Sequence, residues 1–173
     1  WPLLQGQVLH GKTLGIVGLG RVGRQVARLA SAFGMHLLAW GPTLTPERAA
    51  AAGATYRPLD DLLAEADVVS IHLALSEQSR GLIDAARLRR MRPSAYLVNT
   101  ARGAIVDEPA LVRALRDGWI AGAALDVFAE EPLPAEHPLR RLDNVVLTPH
   151  LGWPTDQTYQ IFADAAARQI TAY

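Results

Sequence analysis

The stretch Thr13 to Gly34, "TLGIVGLGRVGRQVARLASAFG", constrains this chain more than any other. An apolar run suited to a strand meets Gly18-Leu19-Gly20-Arg21-Val22-Gly23, and a segment with helical spacing follows. A G-x-G-x-x-G set is a weak signal alone, but lodged between a strand and a helix it describes a dinucleotide-binding turn. Gly18 permits the tight turn, Gly20 admits a pyrophosphate to the backbone, and Gly23 lets helix meet strand. The unpaired N–H groups at the helix N-terminus then face the anion.

Strand-like and helix-like stretches alternate along the rest of the chain. Met35 to Trp40, Asp67 to Leu73, Ala95 to Thr100, Ala121 to Val127 and Asn144 to Thr148 are short apolar runs of the kind found in strands buried on both faces. Helices are expected over Val22 to Phe33, Pro46 to Ala52, Ala85 to Met91, Glu108 to Arg116 and Thr155 to Tyr173. Thr45-Pro46 and Asp107-Glu108-Pro109 supply start signals. Each parallel crossover needs a helix-sized connection, so the expected fold is α/β, a doubly wound parallel sheet of the Rossmann type. The proline-rich piece Glu131 to Pro138 is too short to divide domains. Residues 1–173 therefore read as one dinucleotide-binding domain, with 1–12 as a lead-in segment and 155–173 as a C-terminal helix.

Charge and composition exclude several other functions. Seventeen basic side chains balance seventeen acidic ones, leaving no excess to neutralise a nucleic-acid backbone. There is no cysteine, and the five histidines show no metal-ligand spacing, so neither thiol chemistry nor a metal is expected. No apolar run reaches the roughly 18 residues of a membrane span, and no membrane partner is expected; the chain reads as cytoplasmic.

The usual partner of a dinucleotide turn is an acid at the end of the second strand, yet here the strand runs into Gly41-Pro42-Thr43. Without that carboxylate the ribose 2′-OH of NAD loses a charged acceptor, and the 2′-phosphate of NADP meets no repulsion. NAD is the expected cofactor and NADP is not excluded. Arg48, seven residues past Gly41, fits either a phosphate clamp or a solvated helix face.

Ligands of open α/β sheets bind beyond the carboxyl ends of the strands, and three ionisable residues fall there: Arg102, Glu131 and His150. A planar guanidinium can grip a carboxylate bidentately, where a lysine would act as a point charge. An imidazole can exchange a proton, and a neighbouring carboxylate favours its charged form. His72, inside an apolar strand, reads as a hydrogen-bonded core histidine, and Glu130 as a solvated loop charge.

The segments "NTARGAIVDEPALVRAL", "GAALDVFAEEPLP" and "NVVLTPHLGW" resemble, in the expected order, the cofactor domain of the D-isomer-specific 2-hydroxyacid dehydrogenases. The resemblance implies that Arg102 binds the substrate's carboxylate and carbonyl, His150 exchanges the hydroxyl proton, and Glu131 hydrogen-bonds His150. Glu131 is preferred to Glu130 because the family's acid directly precedes a proline, here Pro132. The resemblance also implicates Arg21 and Val22 at the phosphates, and Leu73, Ala74 and Ser79 around the adenosine half. Thr100, Ala101 and Asp126 would lie near the nicotinamide, with Asp126 accepting a bond from the carboxamide. Ala74 stands where proline is frequent in the family, and Ser79 where threonine or asparagine is common.

Family members carry a second, substrate-binding domain mostly ahead of the glycine turn, whereas about a dozen residues precede Thr13 here, so the substrate domain is largely absent from this chain. Two functions follow as expectations. One is an oxidoreductase domain moving a hydride between a nicotinamide cofactor and a 2-hydroxy or 2-oxo acid, incomplete for turnover alone; the other is a dinucleotide-binding sensor or interaction module. Formate oxidation transfers no proton and its enzymes pair histidine with glutamine, so Glu131 argues against it. The resemblance also implies a homodimer, with apolar surface around Trp153, Tyr159 and Phe162; Trp153 is also a candidate local contributor to the pocket for the substrate's side chain.

Overall fold

A computed structural model describes residues 6–172. The first five residues of the expected lead-in and Tyr173, the last of the expected final helix, lie outside the described residues. Strands β1 (Thr13–Val17), β2 (His36–Trp40), β3 (Thr55–Tyr56), β4 (Val68–Ile71), β5 (Tyr96–Asn99), β6 (Gly122–Leu125) and β7 (Val145–Leu147) form one sheet. Its order is β3-β2-β1-β4-β5-β6-β7, and every neighbouring pair is parallel. The chain winds outward from β1 to β3, returns, and winds the other way from β4, as a doubly wound sheet does. The switch falls between β1 and β4.

Helices α1 (Arg21–Ala32), α2 (Pro46–Ala50), α3 (Leu59–Glu65), α4 (Ala85–Leu88), α5 (Glu108–Arg116) and α6 (Asp156–Thr171) make the connections. Side chains on β1 and β2 alternate between two cores. Leu14, Ile16, Leu37 and Ala39 pack with Ala27 and Ala30 of α1, whereas Val17 and Leu38 join Leu62, Leu63 and the larger core under α5. Burial on both sides explains why these strands read as continuous apolar runs.

Two elements were not legible. Strand β3 has only two residues at the sheet edge, below the length at which alternation can be recognised. Helix α3 follows Pro58, an N-cap residue that offers no side-chain hydrogen bond, yet buries Leu59, Leu62 and Leu63. It lies against β1 at Gly15, where an added Cβ would stand 2.5 Å from a Leu62 methyl. Gly15 is thus the space that admits α3.

Helix α1 carries only Gly23, Ala27 and Ala30 on its buried face, small residues that let it approach the sheet. It stops at Gly34, whose φ of 72° suits glycine, with Gly34 and Met35 N–H groups closing onto Ser31 and Ala30 carbonyls. Helix α6 is different: it has no buried residue, and Tyr159, Ile161, Phe162 and Ile170 are all more than half exposed.

Candidate active site

The glycine turn sits where the winding reverses. Gly18 has φ 106°, and a Cβ there would meet the His72 carbonyl oxygen at 2.7 Å, so the exits of β1 and β4 press together. A Cβ on Gly23 would lie 2.2 Å from the Gly18 carbonyl oxygen, so helix and turn admit no side chain between them. Around Gly20, by contrast, an added Cβ meets nothing within 4 Å, and Gly20 is exposed. Gly20 gives α1 no side-chain cap, and the first turn holds no acid. The first N–H groups of α1 therefore face open space beside a backbone with no projecting side chain, which fits a pyrophosphate. Arg21 and Val22 are both exposed at that end of the helix.

Across the crevice, β4 exits through His72 and half-buried Leu73 into exposed Ala74. Ser79 is buried, and its hydroxyl donates to the Ala74 carbonyl at 2.8 Å while accepting from Ser76 N–H at 2.8 Å. It shapes the turn from within and presents no free polar group. His72 shares a 2.9 Å hydrogen bond with Ser70, and burial holds its pKa below the ordinary value, as expected of a core histidine.

Strand β5 ends on Asn99, which is 1 % exposed. Its amide nitrogen donates to the Arg102 carbonyl at 2.9 Å, and its oxygen accepts from Ala101 N–H at 3.0 Å. This turn lifts Thr100 and Arg102 to the surface, with Ala101 half-buried. Among the described residues, Arg102's only side-chain bond is from Nη1 to the neighbouring Ala101 carbonyl, so most of its donors remain unspent there. Sequence alone assigns Asn99 no role; an asparagine ending an apolar run, directly before Thr-Ala-Arg-Gly, is the signal available.

Gly103 then brings two loops together. A Cβ there would fall 2.0 Å from the Phe128 carbonyl carbon, so only glycine lets the Arg102 loop rest on the backbone leaving β6. Phe128 N–H donates to Glu131 Oε1 at 2.9 Å. Glu108, at the start of α5, holds the same loop: one oxygen accepts from Ala129 N–H at 3.0 Å, and the other lies 3.2 Å from His137 Nε2. Sequence reading missed Glu108 as a brace, because its partners lie 21 and 29 positions away.

His150 Nδ1 lies 2.7 Å from Glu131 Oε2, and both side chains are about a third exposed (36 % each). Burial works against the charged form of Glu131. Hydrogen bonds from His150 and Phe128, with the charges of His150 and Arg102, nevertheless hold its carboxyl below the usual range. Glu130 is exposed beside it. His150 adopts φ 57°, the left-handed region, which costs a non-glycine residue about 1–2 kcal/mol. Asp126 braces that conformation: it accepts from the Thr148 hydroxyl, from Leu151 N–H at 2.7 Å and from Gly152 N–H at 2.8 Å. Burial opposes ionisation of Asp126 too, but these bonds and the His150 charge keep its pKa low.

An open cavity of about 640 Å³ adjoins the pair, walled by Phe128, Leu133, Leu147 and Pro149, with Glu131 and His150 on its rim. Arg102, Glu131 and His150 thus gather at the carboxyl ends of β5 to β7, and the glycine turn stands at the β1 and β4 exits of the same sheet edge. Among the described residues no His, Asp or Glu cluster could hold a metal ion, and no helix is long and apolar enough to cross a membrane.

Comparison with known proteins gives a consistent picture. Residues 1–152 match the family model described as the D-isomer specific 2-hydroxyacid dehydrogenase, NAD binding domain. A glyoxylate reductase of Aeropyrum pernix is 50% identical over 171 residues, covering 99% of this chain and 51% of that protein. The crystal structure of a glyoxylate reductase from Paecilomyes thermophila superimposes with a TM-score of 0.83 at 43% identity, covering 91% of this chain and 48% of that one. D-lactate dehydrogenase from Lactobacillus jensenii, solved with NAD+, gives 0.86 at 32% identity, covering 96% and 54%. The chain spans about half the length of these relatives.

Proposed function

The chain belongs to the D-isomer specific 2-hydroxyacid dehydrogenase family, as its NAD-binding domain, and from that premise we propose that residues 1–173 are the cofactor half of an oxidoreductase acting on 2-hydroxy and 2-oxo acids. The 2.7 Å hydrogen bond between His150 and Glu131, beside Arg102, carries this reading. A sensor has no use for a proton donor, so the pair favours chemistry over the non-catalytic alternative.

Gly18, Gly20, Arg21, Val22 and Gly23 hold the dinucleotide's phosphates, Leu73, Ala74 and the turn shaped by Ser79 flank its adenosine half, and Thr100, Ala101 and Asp126 border the nicotinamide. When bound, the cofactor supplies a hydride to the substrate's C2 or accepts one from it. Arg102 grips the carboxylate and carbonyl through paired N–H donors and fixes C2 in place. With Nδ1 committed to Glu131, Nε2 of His150 is the ring atom that gives its proton to the carbonyl oxygen in reduction and takes it back in oxidation. Glu131 orients the ring and offsets its positive charge. The names of the relatives make glyoxylate the first acid to test, and the cytoplasm is the compartment where a dissociable nicotinamide cofactor meets such acids.

The test uses a longer protein carrying this domain and an intact substrate site. His150→Ala should depress reduction and oxidation alike by at least about a hundredfold, the usual scale of general acid–base catalysis, with NADH binding retained. Wild-type rates in His150→Ala would assign the proton elsewhere.

A further inference from the structure

The loop from Phe128 to His137 carries Glu131 and is fastened at both ends to a single carboxylate. Glu108, the first residue of α5, accepts from Ala129 N–H at 3.0 Å through Oε2, and its Oε1 lies 3.2 Å from His137 Nε2. The Glu108 and His137 side chains are 14 % and 19 % exposed, whereas every other ion pair among the described residues leaves at least one side chain more than a third exposed. The second ring nitrogen of His137 accepts from Leu139 N–H at 3.3 Å, inside the short 3₁₀ turn Pro138–Arg141. Nδ1 is therefore without a proton, Nε2 carries it, and the imidazole donates to Glu108. Arg140 ties the middle of the loop, with Nε on the Pro134 carbonyl at 2.9 Å and Nη2 on the Leu133 carbonyl at 2.7 Å.

The consequence for chemistry lies in two consecutive amides. Phe128 N–H donates to Glu131 Oε1 at 2.9 Å, and the next N–H, of Ala129, donates to Glu108. A displacement of Ala129 passes through a planar peptide to Phe128, and with it to the N–H that holds Glu131. We propose that Glu108 and His137 are positioning residues for the proton relay: together they hold the Phe128–Ala129 backbone where it meets Glu131, and Glu131 in turn holds His150. This rests on the reading that His150 exchanges the substrate's proton. Both residues act through the Glu131 carboxylate and not on the substrate. Glu108→Gln cannot keep both ties. With its amide oxygen on Ala129 N–H, its NH₂ meets the Nε2–H of His137, and moving that proton to Nδ1 sets it against Leu139 N–H; the opposite amide orientation turns the NH₂ on Ala129 N–H.

The experiment follows the Glu131 carboxyl by carbon NMR as a function of pH, in the chain itself and in its Glu108→Gln and Glu108→Asp variants, with urea unfolding as the check on folding. In the natural chain burial opposes ionisation of that carboxyl, and the bonds from His150 and Phe128 still hold it below the usual range. Glu108→Gln should raise its pKa towards the ordinary value, because Phe128 N–H moves out of reach. Loss of a neighbouring negative charge alone would lower it, so the sign separates positioning from simple electrostatics. Glu108→Asp keeps the charge but falls one methylene short of the loop; it should raise the pKa as well, and it decides the matter if Glu108→Gln does not fold. In a longer protein with an intact substrate site, Glu108→Gln should lower kcat for reduction about tenfold or more with KM little changed, and should cost almost nothing further in a Glu131→Gln background. A Glu131 carboxyl that titrates as in the natural chain, or kinetic losses that simply add, overturns the positioning role. Normal turnover in His150→Ala defeats the proton-relay reading instead, and the Glu131 titration then still decides whether Glu108 holds that carboxylate.

Discussion

Replacing Asp126 by asparagine should release His150 from its left-handed conformation and destabilise the domain measurably. The carboxylate is 6 % exposed and accepts three hydrogen bonds: Oδ1 takes the Thr148 hydroxyl and Leu151 N–H, and Oδ2 takes Gly152 N–H. Asparagine preserves the acceptor at Oδ1 but sets an NH₂ against Gly152 N–H, donor facing donor. Flipping the amide moves the conflict to Leu151 N–H, while the Thr148 hydroxyl can turn to accept. A bond to a charged group contributes about 1.5–3 kcal/mol, and its loss leaves one backbone N–H of the loop without its protein acceptor. Relief of the buried charge works the other way. Burial is the largest single influence on Asp126, yet its pKa is still lowered, so the hydrogen bonds and the His150 charge outweigh it. We expect a net loss of about 2–3 kcal/mol, or about 5–10 °C in Tm for a domain of this size. Because the folded pKa lies below the unfolded one, this stability is complete above the unfolded-state value. It is lost as pH falls through the folded value. Urea unfolding of the chain as a function of pH, with hydrogen exchange at Leu151 and Gly152, measures both effects. An Asp126→Asn variant with the natural midpoint and the natural acid limb would refute the bracing role.

Three further outcomes are expected. Arg102→Lys, in a longer protein with an intact substrate site, should cost about a hundredfold or more in kcat/KM through the lost bidentate grip; near-normal turnover would remove Arg102 from that role. Gly23→Ala should abolish NADH binding by the chain, since its methyl would fall 2.2 Å from the Gly18 carbonyl oxygen, and calorimetry showing ordinary affinity would contradict the close approach. If Trp153, Tyr159 and Phe162, which cluster with Trp153 ring centroids 5.6 and 5.9 Å from the other two, pair two copies of the protein, sedimentation should show a dimer at micromolar concentration that Phe162→Glu dissociates; a monomer in both would exclude that face.

The gathering of the candidate site was legible because it rests on residue types with few substitutes: glycines where the backbone closes up, and an arginine, an acid and a histidine at strand ends. The sheet was legible because strands buried on both faces write long apolar runs. What sequence reading missed depends on contacts between distant positions. Helix α3 exists because Gly15 leaves space for Leu62, 47 positions away. Glu108 braces the acid loop through Ala129 and His137, and nothing local distinguishes it from an ordinary first-turn glutamate. Asp126 was expected to face the nicotinamide, and its three protein partners became visible only once Thr148, Leu151 and Gly152 folded over it.

These braces divide the site into a part assembled in advance and a part that waits. Glu131 is held by Phe128 N–H and by the loop that Gly103 and Glu108 position, and His150 is held by Glu131 and the Asp126 bracket. Each tie lies within this chain, so the acid–base pair needs no second domain to reach hydrogen-bonding distance. Arg102 is the opposite case. Asn99 fixes its backbone, but among the described residues the guanidinium holds only the carbonyl of its own neighbour. A side chain with unspent donors, in a turn of fixed shape, can reach a carboxylate without first breaking an ion pair, which lowers the cost of the first contact. Under the proposed function that asymmetry sets an order of events: Arg102 would capture the substrate and fix C2, and the His150–Glu131 pair would already be in place when the carbonyl oxygen arrives.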